Sequence, residues 1–105
     1  MEIKTAIRKN DWLKGILESD KGFANGYIGV PPGHPWHGLD YDDVPADVHG
    51  GLTYSEDRAP KEAPDGFWWL GFDTLHSGDD ATTCDENYVA NEIAQLKKQA
   101  EDAVC

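Results

Sequence analysis

The stretch Gly66-Phe67-Trp68-Trp69-Leu70-Gly71-Phe72-Asp73 is the most apolar in the chain, and the fold turns on how it is read. Its aromatic and aliphatic residues read as a strand. Alternation along such a strand sends Trp68 and Trp69 to opposite faces. One indole then belongs to the core, and the other meets a ligand, a partner or a covering segment. Upstream, Gly22-Phe23-Ala24-Asn25-Gly26-Tyr27-Ile28-Gly29-Val30 has the same β-favouring character, broken by glycines and stopped by Pro31-Pro32. Val48-His49-Gly50-Gly51-Leu52-Thr53-Tyr54 reads as a third strand.

Helical spacing marks the two ends. Ile3, Ile7, Leu13, Ile16 and Leu17, with Trp12 beside them, predict an N-terminal helix stopping at Asp20-Lys21-Gly22; a shorter helix capped at Asn10-Asp11 is the alternative. Thr83-Cys84-Asp85-Glu86 fits a capping box with Thr83 as N-cap, and Val89, Ile93, Leu96, Ala100 and Val104 then follow a 3.6-residue period. The expected fold is α+β, a small antiparallel sheet packed with an N-terminal and a C-terminal helix, as a single domain over residues 1–105. Segment 31–47 is long and rich in Pro, Gly, His and Asp, the kind of ordered loop that carries function in a small domain. Segment 55–65 reads as an exposed hairpin connection.

The chain has 105 residues with 20 Asp and Glu against 9 Lys and Arg, a net charge of −11. The excess is local: residues 1–30 carry +1, residues 31–80 carry −9, and residues 81–105 carry −3. Such a field repels a nucleic-acid backbone, which excludes direct nucleic-acid binding as an expectation. It suits a cation site, a solvated face, or a surface that competes with DNA for a basic host protein through Asp40, Asp42, Asp43, Asp47, Glu56 and Asp57. No apolar run approaches the roughly 20 residues of a spanning helix, and Met-Glu-Ile-Lys-Thr lacks a signal-peptide layout, so no membrane and a cytoplasmic setting are expected. Two cysteines, Cys84 and Cys105, do not make the disulfide framework of a small secreted domain. Stability must come from packing, helped by a metal or by a homodimer, and the homodimer is the expectation.

Chemistry-bearing residues gather in the acidic middle. His34-x-x-His37-x-x-Asp40 and Asp73-x-x-His76-x-x-Asp79 are two period-three triplets, with His49 between them. Imidazole and carboxylate are ligands for divalent metals, and His34, His37, Asp40 and His76 form the candidate metal set, although the spacing matches no diagnostic motif. The same residues are the minimum kit for acid–base catalysis, with His49 or His76 oriented by Asp73 toward a phosphodiester or glycosidic bond. Equally, loop histidines can simply bond backbone groups while Asp40 and Asp79 cap turns. Trp36, Tyr41, Tyr54, Trp68 and Trp69 flank these loops, and flat rings beside polar groups make a pocket for a planar ligand. Arg8 and Arg58, the two arginines, have the bidentate geometry that suits phosphate, although nothing in their sequence neighbourhoods points to it. No phosphate loop, dinucleotide fingerprint or haem motif occurs, so the sequence names no cofactor.

Four boxes carry a resemblance: Gly-Tyr-Ile-Gly-Val-Pro-Pro-Gly-His-Pro at 26–35, Tyr-Asp-Asp at 41–43, Val-His-Gly-Gly-Leu-Thr-Tyr at 48–54 and Trp-Leu-Gly-Phe-Asp-Thr-Leu-His-Ser-Gly-Asp at 69–79. Together they resemble a family of short proteins of tailed phages and prophages, over about residues 22–80 plus the trailing helix. The resemblance implies a viral protein in the host cytoplasm and assigns no catalytic residue. By analogy of context, small acidic phage accessory proteins serve in counter-defence by sequestering a signal, mimicking DNA or jamming a host complex.

The leading expectation is therefore a binding protein for a small polar, nucleotide-type ligand. Its pocket is expected from His34, Trp36, His49, Tyr54, Asp73, His76 and Asp79: the rings stack, the histidines donate, and the carboxylates orient or accept. A metal-assisted phosphodiesterase using the same residues and an acidic decoy for a basic host protein are the alternatives, so whether the protein is an enzyme stays open at this point.

Overall fold

The computed structural model of the protein describes residues 2–9, 24–74 and 85–104. Strands β1 (Lys4–Lys9), β2 (Ala24–Val30), β3 (Tyr54–Glu56) and β4 (Trp68–Phe72) form one antiparallel sheet in the order β1-β2-β4-β3, followed by helix α1 (Glu86–Asp102). The small antiparallel sheet and the C-terminal helix are as expected. Residues 4–9 are not helical.

The correction at the N terminus has a simple cause. Ile3 and Ile7 are four apart, which fits a helix, but they are also an even number apart, which fits one face of a strand. The ladder decides, because Lys4 to Lys9 pair with Gly29 to Ala24, giving these backbone groups cross-strand partners. The remainder of the expected helix, and the alternative start at Asn10-Asp11, lie outside the described residues.

Both strand alternation and glycine placement shape the sheet. On one face Ala24, Ile28 and Val30 of β2 and Leu70 and Phe72 of β4 join Val89, Ile93, Leu96 and Ala100 of α1 in the main core. Gly26 lies under the helix: a Cβ there would stand 2.5 Å from Ile93 Cγ1 and 2.6 Å from the Phe72 ring. On the opposite face Tyr27, Trp69 and Ala59 form a smaller core with Ala6, Tyr54 and Phe67. The two tryptophans separate as alternation requires, Trp68 packing on the helix side and Trp69 on the other. Trp69 is covered by the chain itself, and its indole N–H donates to Asp65 at 3.2 Å. Partial burial pushes the Asp65 carboxyl up, but bonds from the Phe67 N–H, Trp69 and Lys4 outweigh it, so the group titrates below the usual carboxylate range.

Helix α1 starts two residues later than the capping-box reading, because Asp85 is the N-cap and accepts the Tyr88 N–H at 2.9 Å. A carboxylate there also meets the positive end of the helix dipole. The stripe ends at Ala100, since Val104 lies past the last turn and is exposed.

The third expected strand is mostly absent: only Tyr54 to Glu56 pair with β4, although the Thr53 N–H still donates to Gly71 O at 2.8 Å. The backbone before it is bonded to helix side chains instead. Gln99 accepts from the Asp47 N–H and donates to the Asp47 carbonyl, both at 2.7 Å, and Glu92 accepts from the His49 N–H at 2.8 Å. Gly50 and Gly51 then turn the chain with φ of 67° and 80°, a region that glycine enters without strain.

Gly26→Ala is expected to force the helix away from β2 and to cost about 1–3 kcal/mol despite the better strand propensity of alanine. Urea unfolding of the variant checks this; unchanged stability would show that the close approach at Gly26 is not limiting.

Candidate functional site

Of the residues expected to form one pocket, the described ones do not all meet. His34 and Trp36 belong to the main core at the C-terminal end of α1, each almost fully buried. The Trp36 backbone N–H donates to His34 Nδ1 at 2.9 Å, so that nitrogen carries no proton. Nε2 therefore holds it and donates to the Ala100 carbonyl at 2.7 Å. That carbonyl is among the last four of the helix, which have no partner within it. His34 is thus a tertiary helix cap with both nitrogens engaged, and the Trp36 ring meets it edge-on at 5.3 Å.

His49 sits elsewhere, on the Gly-Gly turn, with Nδ1 2.7 Å from the Tyr88 hydroxyl and its ring edge-on to Tyr88 at 5.4 Å. His37 approaches Gly66 O with Nε2 at 3.1 Å and tilts over Trp68. Asp40 accepts from the Ser55 hydroxyl at 3.2 Å. The candidate metal set is accordingly not gathered by the described residues, among which no group of three His, Cys, Asp or Glu converges. His76 and Asp79 lie outside the described residues, as do Ser77 and Cys84.

Tyr54 and Asp73 do come together, on the sheet face turned away from the helix. Two adjoining depressions of about 340 and 320 Å³ share Arg8, Tyr27 and Pro60. The first extends to Lys61 and Glu62 on the β3–β4 connection, and the second to Asn25, Thr53, Tyr54 and Asp73. Register brings these side chains together: Arg8 is paired with Asn25 across β1 and β2, and Tyr54 with Gly71 across β3 and β4. Gly71 leaves room for the Tyr27 ring, which its Cβ would overlap, and Tyr27 meets Tyr54 edge-on with centroids 5.2 Å apart.

Polar groups line this basin in a fixed arrangement. Asn25 Oδ1 accepts from the Thr74 N–H at 3.1 Å, and the Thr74 hydroxyl donates to Ala24 O at 2.8 Å, locking the start of β2 to the chain leaving β4. Asp73 accepts from the Thr53 hydroxyl at 3.0 Å, and the Tyr54 hydroxyl donates to the Arg58 carbonyl. Burial raises the Tyr27 phenol above its ordinary value, against the Asn25 side-chain bond and the Arg8 guanidinium, which favour the phenolate, and with Asp73, which opposes it. Burial also raises Tyr54, with Glu56 adding to it. Lys61, the one non-glycine with positive φ (64°) among the described residues, stands on the rim. Arrangements of this kind mark many functional turns.

Asn25, Tyr27 and Thr53 line the candidate site and were missed by sequence reasoning; the strand signal concerns the first two. The signal was present, because alternation along β2 puts both on one face, but the face itself became known only with the sheet order. Comparison with protein-family models, curated proteins and solved structures finds no match to this chain.

Two outcomes follow from the placement. His34→Ala orphans a buried helix carbonyl and the Trp36 N–H and is expected to cost on the order of 2–3 kcal/mol, whereas its effect on the basin is nil; thermal melts beside ligand titrations check both. Because the folded phenol of Tyr27 titrates above its unfolded value, its contribution to stability is fully present below about pH 10 and is lost as pH rises through the raised value. Tyr27→Phe should therefore flatten the alkaline fall in the urea midpoint; an unchanged fall would contradict the assignment.

Proposed function

We propose that the protein binds a small, planar, anionic ligand of nucleotide type in the basin on the helix-free face of the sheet. The observation that carries this reading is the convergence there of one arginine, two tyrosine rings and the Asn25, Thr53 and Asp73 side chains. Arg8 supplies the bidentate donor for a phosphate, in a chain whose middle is otherwise strongly acidic. The half-buried Tyr54 ring, backed edge-on by the buried Tyr27 ring, gives an apolar wall for a flat ring, and Asp73 accepts from ligand amino groups. In a phage accessory protein working in the host cytoplasm, such a site would serve counter-defence by sequestering a nucleotide signal. Among the described residues no helix is long and apolar enough to cross a membrane.

One observation favours a second reading, that of an acidic decoy for a basic host protein. The Ser55–Asp40 bond joins the exposed acidic turn Tyr41–Asp43 to the edge strand carrying Glu56, with Asp57 next to it. Asp57 is held below the usual carboxylate range, first by its bond from Arg58. Affinity of that kind would fall steeply with salt, whereas ring and hydrogen-bond contacts in the basin would not.

Calorimetric titration with nucleoside monophosphates and cyclic dinucleotides tests the ligand reading. Arg8→Ala and Tyr54→Leu are each expected to weaken binding on the order of tenfold or more, with His49→Ala near the parent value. Binding indifferent to Arg8→Ala, or none by the parent protein, would overturn it.

A further inference from the structure

The helix side of the sheet is covered unevenly. Helix α1 lies over β2, and segment 31–52 supplies Trp36, Val44 and Leu52 to the same core. Over β1 the described residues leave instead a groove of about 480 Å³ between the strand and the helix, with Ile7 on its strand side. Ile7 is 47% exposed, the highest value among the large hydrophobics exposed in the described residues. The helix side of the groove is one stripe, Glu86, Ala90, Ala94 and Lys97, at spacings that keep all four on a single face.

We propose that this groove seats a second copy of the chain, with two α1 helices packed antiparallel across a two-fold axis near Ala90 and Ala94. The charges at its ends carry the inference. Glu86 and Lys97 are eleven residues apart, about 16 Å along the helix. Antiparallel pairing sets Glu86 beside Lys97 of the partner subunit at one end, and the two-fold axis repeats that pair at the other. Parallel pairing would oppose Glu86 to Glu86 and Lys97 to Lys97. The two alanines at the crossing allow the helix axes to approach at the short end of the usual 8–10 Å range. The seam is on the helix and not the strand edge, because antiparallel self-pairing of Lys-Thr-Ala-Ile-Arg-Lys would set basic residues against each other. The groove opens on the helix side of β1 and adjoins the ligand basin at Ala6 and Ile7, which line both.

Sedimentation equilibrium of the full chain tests the proposal through a charge exchange. The parent is expected at twice 11.6 kDa in the micromolar range. Lys97→Glu and Glu86→Lys should each weaken association on the order of tenfold, and the double variant should recover it. Circular dichroism of each variant confirms that the monomer fold is kept, which matters most for Glu86→Lys at the helix N terminus. A monomer at every concentration, a dimer indifferent to Lys97→Glu, or a double variant that fails to recover would overturn the proposal. A monomer that Ile7→Asp destabilises would assign the groove to the chain's own segment 10–23.

Discussion

The seating of α1 on β2 at Gly26 is the contact from which the rest of the molecule is positioned. A missing side chain on the central strand lets Ile93 and Phe72 meet over the backbone, and that approach sets the height of the helix above the sheet. From that height, Val89, Leu96 and Ala100 reach the core, and the polar residues beside them reach the chain that runs past. A domain this small has little apolar area to spare, so one close approach that admits several large side chains matters disproportionately.

What the helix then does is organise a long segment with no ladder of its own. Gln99 bonds both backbone groups of Asp47, Glu92 accepts from the His49 N–H, and the Ala100 carbonyl accepts a hydrogen bond from His34 Nε2. Each of these bonds satisfies a backbone group that a sheet would otherwise have to satisfy. The consequence for function is direct. His34 and His49 are occupied in holding loop to helix, and Arg8, Asn25, Tyr27 and Tyr54 of the basin sit on strands of the sheet. Binding groups carried on strands are held more precisely than groups on loops.

How much of this was legible in the sequence depended on period and on partner. The strand at Trp68-Trp69-Leu70-Gly71-Phe72 and the stripe Val89, Ile93, Leu96, Ala100 carry unambiguous periods, and both were readable. Lys4–Lys9 was not, because a spacing of four residues satisfies a helix and a strand face alike, and only its pairing with β2 decides. Val48–Thr53 has strand composition, yet the His49 N–H and, just before it, the Asp47 N–H go to helix side chains forty or more residues away, which no local pattern records. The candidate site was half legible: Tyr54 and Asp73, named from the sequence, do line the basin, while Asn25 and Tyr27 looked like ordinary strand residues and Arg8 had no visible neighbour. His34 and Trp36 misled for a physical reason, since a buried histidine with two backbone partners and a ligand-binding histidine have the same letters around them.

The central claim is that the binding chemistry of this protein lies on the helix-free face of its sheet. Backbone amide chemical-shift mapping by nuclear magnetic resonance, during titration with a cyclic dinucleotide or a nucleoside monophosphate, tests it most directly. The account predicts saturable shifts confined to Arg8, Asn25, Tyr27, Tyr54, Asp73 and their strand neighbours. Shifts centred on His34, His49 and Tyr88, with the sheet face silent, would contradict it.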